Sequence, residues 1–582
     1  MRRLIKVMAS LRSWARANET GLVGIALIVG LASGGLAAAM SGAARALHRL
    51  FGPGVVNGLL SAMENADPLR LLLLPALGGG LLALLNHILA RRRVRAPVDP
   101  IEANALHGGR MSLQDGAVVA AQNIVSNGFG ASVGLEAGYT QVGSGVASRL
   151  GLLFGLRRGD LRLLVGCGAA GAIAAAFDAP LTGAFYAYEL VIGTYAIAGL
   201  APVITSAVAA TLVARMLHGQ TYLVQPGSVP TPEWGGYGLA LLLGLLCAVA
   251  GIALMRGVSL AEVGLRKAIP WGWLRPVVGG LGVGILGLLS TGVLSAGHGA
   301  LHIAFSEQEP VQAVLMLLVL KALASALSLG AGFRGGLFFA SLLLGALLGK
   351  VFAVAAGAVG VPAADPLLLS VVGMSAFATA VIGAPLAMTF LALESTGSFA
   401  IAGIVLTGVT VSGLLVRRAF GYSFATWRFH LRGETIRSAH DVGWLRDLTV
   451  GRLMRRDVRT VHVDMGLDAF RREFPLGATE RVVVLDGEEH YAGIVLVAEA
   501  HAAAPEADGT LAPLLRLRDR ALLPGMNAKQ AMAIFDSAEV ESLAVLDGLG
   551  TRKVIGLVTA SHLLRRYGEE LDKRRQEEVG LT

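Results

Sequence analysis

Cysteine is nearly absent from this chain of 582 residues, in which Cys167 and Cys247 are the only two. Both lie in apolar stretches, far apart along the chain. A disulfide framework or a cysteine-based metal site needs more cysteines at regular spacing. We therefore expect no disulfide and no metal cluster.

Charged residues are also scarce. They make up only 15% of the chain and are sparse between residues 20 and 420. Apolar runs such as 71–89 and 237–254 are long enough to cross a bilayer core of about 30 Å. Other apolar segments are too short for a full span, which predicts broken, re-entrant helices buried within protein. With a mean hydropathy of +0.64, the sequence indicates an all-α polytopic membrane protein.

Glycine is abundant instead, with 77 residues, and in membranes glycine lets helices approach closely. The net charge of +9 does not indicate nucleic-acid binding, because the basic clusters flank apolar spans. By the positive-inside rule these clusters place the N-terminus in the cytoplasm, at the cell inner (plasma) membrane. They consist of Arg2, Arg3, Lys6, Arg12 and Arg16 before the first span, and Arg91, Arg92, Arg93 and Arg95 after the second.

The membrane region contains an internal repeat that carries rare acidic residues. Pro180 and Glu189 have counterparts in Pro385 and Glu394 at the same offset along the chain. A Gly-rich segment at 133–138 has a counterpart at 335–340 at nearly the same offset. Apolar repeats broken by Gly and Pro at matching places predict a transporter-like site between the two repeats.

Glu136 lies in one of these Gly-rich breaks, and an ionisable residue at membrane depth is by default a functional-site hypothesis. The segments 135–138 and 337–340 each resemble a helix start, where N–H groups lack intrahelical partners and the dipole is positive. Two converging helix starts would bind an anion through backbone N–H groups. The Glu136 carboxylate would then act as a gate that fills the site until protonation or competition displaces it.

The simpler alternative makes Glu136 a helix-capping acid near a membrane face, and the repeat favours the functional hypothesis. The predicted anion-binding residues are Gly134, Leu135, Ala137, Gly138, Gly336, Leu337, Phe338 and Phe339.

Structural roles are expected for the other acids of the repeat. Asp178 precedes Pro180, which suits a helix N-cap. Glu189 and Glu394 occupy symmetric places, which favours a shared role in capping loops or holding interfaces between repeats or subunits.

Two lysines and two histidines in the membrane region are also given structural roles. Lys321 and Lys350 are predicted to snorkel or to act as counter-ions. His298 and His302 have the i, i+4 spacing of a metal pair, but no accompanying acid completes a metalloprotease motif. We expect them in a loop without a metal.

The domain organisation follows the shifts in composition. We predict a basic N-terminus at 1–19, a membrane domain at 20–420 with repeats at 20–218 and 236–420, and a linker at 421–445. Two α/β modules follow at 446–505 and 506–570, with a charged tail at 571–582. Each module is predicted to contain a strand–turn–strand–helix unit, with strands at 481–486 and 491–495 and at 541–547 and 554–558.

Four segments, in order, resemble the CLC chloride channels and chloride/proton exchangers. They are 130–143, similar to the "GREGP" anion-binding segment; 168–183 with Glu189; 321–338 with Gly345, similar to the "GxFxP" region; and 372–386 with Glu394. The C-terminal modules resemble the paired CBS domains that many members carry.

The resemblance implies a homodimer with inverted halves and one anion pathway per subunit. Glu136 matches the gating glutamate of the family, and the backbone N–H groups of Leu337 and Phe338 match those that hold the central anion. The implied partners are the lipid bilayer and inorganic anions, with no nucleic acid and no cofactor.

Several positions depart from the family pattern, which bears on anion affinity, selectivity and proton coupling. The "GSGIP" motif is replaced by 96–100, which has lost the anion-coordinating serine and contains Asp99. Leu190 stands where the exchangers carry an internal proton-transfer glutamate. The other departures are Leu135, Ala137 and Ala340, an added Arg334, and a pore tyrosine that is either Tyr422 or displaced by Phe424 or Ala425.

The CBS-like modules lack the residue pair that usually grips ribose, a Thr or Ser followed three residues later by Asp. Thr559 is followed by His562, and Val495 by Ala498. Nucleotide at the CBS pair is therefore not expected, and the pair is interpreted as a cytoplasmic structural clamp.

Three functions remain open at this stage. The favoured one is channel-like or uncoupled anion (chloride) transport gated by Glu136. The alternatives are a proton-coupled anion exchanger and a non-conducting membrane sensor read out by the CBS domains. An enzyme is not expected, because no nucleophile–base pair or metal-ligand set occurs within the spans.

Overall fold

The computed structural model describes residues 19–55, 58–91, 97–219, 224, 234–306, 309–361, 365–432, 448–504 and 509–579. It divides into two compact units, Met1–His440 and Asp441–Thr582. Some predicted features lie outside the described residues: almost all of the basic N-terminus at 1–19, the cluster residues Arg92, Arg93 and Arg95, Ala96, the linker from 433 onwards, and the last residues of the tail.

The first unit is helical throughout its described part. Its first half contains α1 Glu19–His48, α2 Pro68–Ala90, α3 Pro100–Leu106, α4 Leu113–Gly128, α5 Glu136–Phe154, α6 Arg158–Phe177, α7 Pro180–Tyr186 and α8 Ile197–His218. A π-helical turn, Ala187–Ile192, continues α7.

The second half contains α9 Gly235–Ala268, α10 Leu274–Leu289, α11 His298–Ser306, α12 Val311–Gly330, α13 Phe338–Ala358, α14 Pro366–Ile382, α15 Pro385–Thr396, α16 Phe399–Ala419 and α17 Phe424–Leu431. In the described part of the chain, eight helical segments are long and apolar enough to cross a membrane. Helices such as α3, α7, α11 and α15 are too short for a full span, as predicted for re-entrant segments.

Four consecutive helices of the first half, α5 to α8, recur in order as α13 to α16 in the second half. The segments before α5 and α13 pair with each other, because Gly134 and Gly336 form an antiparallel bridge with N···O distances of 3.0 and 3.4 Å. Reciprocal pairing of equivalent residues is the contact pattern of a two-fold relation. The inverted internal repeat and broken helices predicted from the sequence are confirmed.

Equivalent helices cross at glycines in both halves. A methyl group added to Gly143 would lie 2.5 Å from the carbonyl oxygen of Gly168, and one added to Gly168 would lie 2.3 Å from that of Gly143. Gly345 and Gly373 repeat this contact in the second half at 2.2 and 2.3 Å. The backbones of α5 and α6, and of α13 and α14, approach this closely because neither glycine carries a side chain.

Glu189 and Glu394 each cap the short helix of the opposite half. The Glu189 carboxylate accepts hydrogen bonds from the backbone N–H groups of Leu386 and Ala387, at the start of α15. Glu394 accepts from the N–H groups of Leu181 and Thr182 at the start of α7, and from the Thr182 hydroxyl. A shared structural role was predicted for the two glutamates, and this exchange supplies it.

The prediction that Asp178 caps α7 is wrong. Ala179 holds the N-cap position, and Asp178 ends α6 with a left-handed backbone, φ +56°. Its carboxylate pairs with Arg215 at 2.5 Å. The capping function is instead supplied by Glu394, from the other half of the chain.

The second unit is a tandem of two α/β modules. Its elements are α18 Val450–Leu453, β1 Thr460–His462, α19 Leu467–Glu473, β2 Arg481–Leu485, β3 Tyr491–Leu496, α20 Val497–Ala502, α21 Ala528–Ala538, β4 Ser542–Leu546, β5 Val554–Thr559 and α22 Ala560–Val579. Strands β1 and β2 are parallel, while β2–β3 and β4–β5 are antiparallel. The four predicted strands are all present.

The two modules exchange short segments. Near the start of the tandem, Val450 and Leu453 pack in the core of the second module, with Phe535 and Leu543. In return, Leu511 packs in the core of the first module with Phe470. The segment before the first module therefore completes the core of the second module. The segment before the second module completes the core of the first.

Candidate functional site

The site begins where the two Gly-rich breaks meet. Helix α5 starts at Glu136 and α13 at Phe338, and neither N-cap residue, Leu135 or Leu337, supplies a side-chain hydrogen bond. The first N–H groups of the two helices are thus left for another acceptor. Gly134 and Gly336 hold the two starts together through their antiparallel bridge.

The carboxylate of Glu136 lies between the two helix starts. It interacts with its own backbone N–H and with the N–H of Phe339 in the first turn of α13. The side chain is buried, and among the described residues Oε2 has no hydrogen-bond partner. A methyl group on Gly134 would lie 1.9 Å from this oxygen, so the glycine makes room for the carboxylate.

Two cavities meet at Glu136. The first, of about 400 Å³, is called the histidine cavity, because His48, His218, His298 and His302 line it. The second, of about 210 Å³, is called the arginine cavity, because Arg334, Arg428 and Arg432 line it. Among the described residues, Glu136 alone lines both cavities. The gate candidate therefore lies where the two cavities meet.

The lining of the histidine cavity includes two histidines that the sequence analysis had assigned to a loop. His298 and His302 lie on α11, not in a loop as predicted, and the ring of His298 stacks on Phe339 with centroids 3.6 Å apart. Arg45, Arg215, Asp178 and Tyr139 also line this cavity. Two arginines and two carboxylates, Asp178 and Glu136, line this cavity, so its formal charge is balanced while the histidines are neutral.

Lys321 was predicted to snorkel or to act as a counter-ion, and the structure supports the counter-ion role. Its side chain is fully buried, and Nζ donates hydrogen bonds to the carbonyl oxygens of Val293 and Ser295 at 3.0 and 2.8 Å. Its charge also interacts with Glu136. Lys350 donates to the carbonyl oxygen of Ala304 at 3.0 Å. Carbonyl oxygens therefore take the place of water around the buried Lys321 ammonium group.

The arginine cavity contains several of the positions that depart from the family pattern. Asp99 is the N-cap of α3, and its Oδ1 accepts the backbone N–H of Ile101 at 2.9 Å. Asp99 lines the cavity together with Leu190 and Tyr186. The hydroxyl of Tyr186 interacts electrostatically with both Asp99 and Glu136.

The predicted anion-binding residues divide into two groups. Ala137, Gly336, Leu337 and Phe338 line the arginine cavity, while Leu135 and Phe339 line the histidine cavity. The Gly138 N–H is already used, since it donates to Asn123 Oδ1 at 2.8 Å. Tyr422 lines neither cavity and stacks on His430, whereas Phe424 and Ala425 line the arginine cavity.

Polar side chains on α4 fix the two breaks, and sequence reasoning did not single them out. Asn123 donates to the carbonyl oxygens of Gly134 and Arg334 at 2.9 and 3.0 Å, and so ties the two repeats together. Asn127 donates to Val133 O, and Ser126 accepts the N–H of Arg334. The i, i+3, i+4 spacing of these residues on one helix face is a sequence signal that would have identified them.

An apolar helical bundle with inverted halves, and a buried carboxylate where two cavities meet, has the architecture of a membrane transport protein. The family model described as voltage gated chloride channel matches residues 78–417, and the chain belongs to this CLC family. Members are channels or transporters, so the protein is a multi-pass anion transport protein and not an enzyme.

Relatives and solved structures agree with this assignment. The voltage-gated ClC-type chloride channel ClcB of Escherichia coli O81 (strain ED1a) is 29% identical over 402 residues, which cover 68% of this chain and 95% of ClcB. A slow cyanobacterial Cl⁻/H⁺ antiporter shares the fold with a TM-score of 0.63 at 20% identity, covering 71% of this chain and 97% of its own. A eukaryotic CLC transporter matches with a TM-score of 0.58 at 18% identity, covering 96% and 98%.

Proposed function

We propose that the protein conducts chloride or a similar small anion passively between the histidine and arginine cavities, with Glu136 as the gate. The observation that carries the proposal is the position of Glu136, which lines both cavities. An anion that crosses from one cavity to the other must pass the place that this carboxylate fills. Displacing it would expose the N–H groups at the start of α13.

The binding positions follow from the helix starts. Phe338 and Phe339 lie in the first turn of α13, where backbone N–H groups have no intrahelical partner and the N-cap residue supplies no side-chain acceptor. The N–H of Phe339 is taken by Glu136 while the gate is closed. A chloride ion that replaces the carboxylate would accept hydrogen bonds from the same N–H groups and lie at the same positive end of the helix dipole.

Uncoupled flow is the favoured mode because of Leu190. This residue lines the arginine cavity at the position where the resemblance implies a proton-transfer acid. An aliphatic side chain carries no proton and offers no hydrogen bond to order water. Glu136 then responds to protonation without passing the proton onward.

Proton-coupled exchange is the second candidate, and Asp99 is the observation that favours it. Asp99 lines the same cavity as Glu136, and the Tyr186 hydroxyl interacts with both carboxylates. This arrangement offers a route from Glu136 through Tyr186 to Asp99 that bypasses Leu190. In this mode Asp99 takes the role of the missing acid.

The assembly and the C-terminal tandem complete the proposal. We infer a homodimer with one pathway per subunit, with the N-terminus and the CBS tandem in the cytoplasm. The arginine cavity is then the cytoplasmic one, as the positive-inside rule favours. The CBS tandem acts as a structural clamp without nucleotide.

Anion efflux from proteoliposomes tests the function directly. Liposomes with the full chain should release chloride faster than empty liposomes, and Glu136→Gln should release it faster still. Bromide, nitrate and fluoride are assayed in parallel. Absence of flux for all four anions would reject transport and favour the sensor.

A further inference from the structure

Lys321 is a buried cation that reaches the gate from the opposite half of the chain. Its side chain lies on α12 and is fully buried, whereas Glu136 begins α5. Among the described residues, Lys321 is the cation whose charge interacts with the Glu136 carboxylate, although the two groups form no direct ion pair. The two charges therefore act on each other across the site.

The position of the Lys321 ammonium group is fixed by the backbone around it. Nζ donates hydrogen bonds to the carbonyl oxygens of Val293 and Ser295 at 3.0 and 2.8 Å. A methyl group added to Gly297 would lie 3.4 Å from Nζ, so the segment 293–297 encloses the group. An ammonium group has three N–H donors, and two of them are used here. The charge therefore stays in place when the carboxylate of Glu136 moves.

Helix α12 is itself anchored by a contact that occurs in both halves. Ser328 Oγ accepts the backbone N–H of Ser132 at 2.9 Å, and Ser126 Oγ accepts that of Arg334 at 3.0 Å. The two serines that accept are separated by the same offset along the chain as the two residues that donate. Each half thus fixes the Gly-rich break of the other, and α12 is held beside the break that precedes Glu136.

The charge pair breaks the two-fold relation between the halves. At the offset of the serine contacts, Lys321 has Val119 as its counterpart and Glu136 has Phe338. The acid of the pair therefore comes from the first half, and the base from the second. A single buried charge is costly when it is not compensated, so the site is balanced only when the two halves are docked.

Charge balance decides what this site can hold. When Glu136 is protonated or displaced, the ammonium charge of Lys321 loses its compensating carboxylate, which costs free energy unless another anion enters. We propose that Lys321 is the fixed countercharge of the gate, a positioning residue that lets the helix starts hold either the Glu136 carboxylate or one monovalent anion. The inference rests on the proposed function for the identity of that anion, chloride. Protonation of Glu136 and binding of chloride are then linked through Lys321.

Other titratable groups face this pair and stay unchanged when position 321 alone is varied. Tyr139 on α5 and Tyr186 on α7 interact with Glu136, and His298 on α11 interacts with Lys321. The histidine cavity adds Arg45, His48, Asp178, Arg215, His218 and His302. The arginine cavity adds Asp99, Arg334, Arg428 and Arg432. Variants at position 321 therefore change one charge against a constant background.

Infrared titration of the detergent-solubilised full chain tests the countercharge without chloride. The band of the protonated Glu136 carboxyl is assigned by its absence in Glu136→Gln and followed against pH with gluconate as the anion. Lys321→Met and Lys321→Gln should each move its midpoint upward by about one pH unit, because the charge that favours the carboxylate is lost. Gln keeps an N–H donor for the carbonyl oxygens. Lys321→Arg should retain the midpoint of wild type, because it keeps the charge.

Chloride binding, measured by calorimetry above and below this midpoint, is the second readout. At high pH chloride competes with the Glu136 carboxylate and Lys321 stabilises both, so Lys321→Met should change the affinity by less than about twofold. At low pH only chloride is stabilised, and the affinity should fall about tenfold. Lys350→Met is the matched control, since Lys350 also donates to a carbonyl oxygen and lines neither cavity.

The outcomes separate the countercharge from the transport proposal. An unchanged midpoint in both neutral variants would overturn the inference, and so would a midpoint that only Lys321→Arg lowers, because Lys321 would then be neutral in wild type. Equal affinity losses at both pH values would indicate a purely structural role and overturn it as well. If wild type neither binds nor carries chloride while the midpoint shifts persist, the proposed function fails and the countercharge stands.

Discussion

The carboxylate of Glu136 occupies the place that we propose for the transported anion. It lies at the positive start of α13 and takes the N–H of Phe339, while Oε2 has no partner among the described residues. Burying a charge in this way is costly unless donors compensate. The compensation here is partial, so a competing anion or a proton can displace the side chain.

Glu136→Gln should raise chloride efflux by about tenfold, the factor that about 1.4 kcal/mol of lost stabilisation gives. The amide still fits but accepts the Phe339 N–H as a neutral group, which weakens the closed state. The pH dependence should flatten without vanishing, because other titratable groups face the histidine cavity. These are Lys321 behind it and His48, His218, His298, His302, Tyr139 and Asp178 in its lining.

Glu64→Gln is the matched control for this substitution, because Glu64 is exposed and lines neither cavity. Efflux and its pH profile are measured for both variants beside wild type. A Glu136→Gln protein with the flux and pH profile of wild type would exclude Glu136 as the gate.

Gly134→Ala tests the position of the carboxylate without removing its charge. The added methyl would lie 1.9 Å from Glu136 Oε2, so the side chain has to leave its place. We expect a higher chloride efflux that retains the pH response of wild type. Gly35→Ala is the control, because nothing lies within 4 Å of its added methyl. Wild-type efflux in Gly134→Ala would show that the closed position of Glu136 is not that of the structure.

At the scale of elements, the two halves are joined by exchanged caps rather than by apolar contacts alone. The first turns of α7 and α15 each receive a glutamate from the opposite half. Neither cap can form unless both halves are folded and docked. The caps therefore couple the folding of one repeat to that of the other.

Glu189→Gln and Glu394→Gln should each destabilise the protein by about 1 kcal/mol, the usual cost of a lost N-cap. An amide accepts one of the two N–H groups but turns its own NH₂ toward the other. The symmetry of the caps predicts similar losses for the two variants. The apparent Tm of the full chain in detergent measures this at a fixed scan rate, because such proteins unfold irreversibly.

Glu262→Gln is the surface control, since the Glu262–Arg266 pair is exposed on α9 and should contribute little. If Glu189→Gln and Glu394→Gln leave the apparent Tm at the value of this control, the caps do not stabilise the repeat interface.

Helices and strands were predicted correctly from the sequence where residues close together in the chain determine them. The starts of α7 and α15 at Pro180 and Pro385, and the four C-terminal strands, follow from proline and β-branched patterns that act over a few residues. The cap of α7 could not be predicted in the same way. Asp178 is the local candidate, but Glu394 reaches that helix from the other half, and such a contact exists only after the repeats have docked.

The C-terminal tandem of α/β modules should bind ATP or AMP weakly or not at all. Thr559 lacks an acid three residues later, and its hydroxyl accepts the backbone N–H of His562 at 3.3 Å. A ribose would have to replace that contact and would find no carboxylate. Calorimetry on the full chain is the measurement, with Thr559→Ala as the comparison. Tight binding that Thr559→Ala abolishes would contradict the prediction.

At the scale of the whole molecule, the sequence singled out Glu136, the proposed gate, but not the two cavities that it lines. Glu136 was identified because an acid in an apolar Gly-rich break is rare. The arginine cavity combines residues from α3, the break before α13 and α17, which are far apart in the chain. Tyr422 illustrates the limit, since spacing alone did not decide between it and Phe424, and packing places Phe424 on the cavity.

Proton coupling is a property of the whole pathway, because protons and anions need separate routes on one side of the gate. With Leu190 on the arginine cavity, wild-type protein should dissipate a chloride gradient with little uphill proton movement. Proteoliposomes with a chloride gradient and a pH electrode measure this. Leu190→Glu places an acid on the cavity wall and should create or increase coupling, while Leu190→Gln, of similar size, should not.

Sustained proton pumping by wild type would show that another acid replaces Leu190, and Asp99 is the one that the geometry offers. Asp99→Asn should then abolish pumping while chloride flux continues, because the amide can still accept the Ile101 N–H at the start of α3 but releases no proton. Tyr186→Phe should also slow pumping, since it removes the hydroxyl that interacts electrostatically with both Asp99 and Glu136. If wild type pumps and both variants pump equally well, the proton route avoids the arginine cavity, and neither Leu190 nor Asp99 decides the coupling.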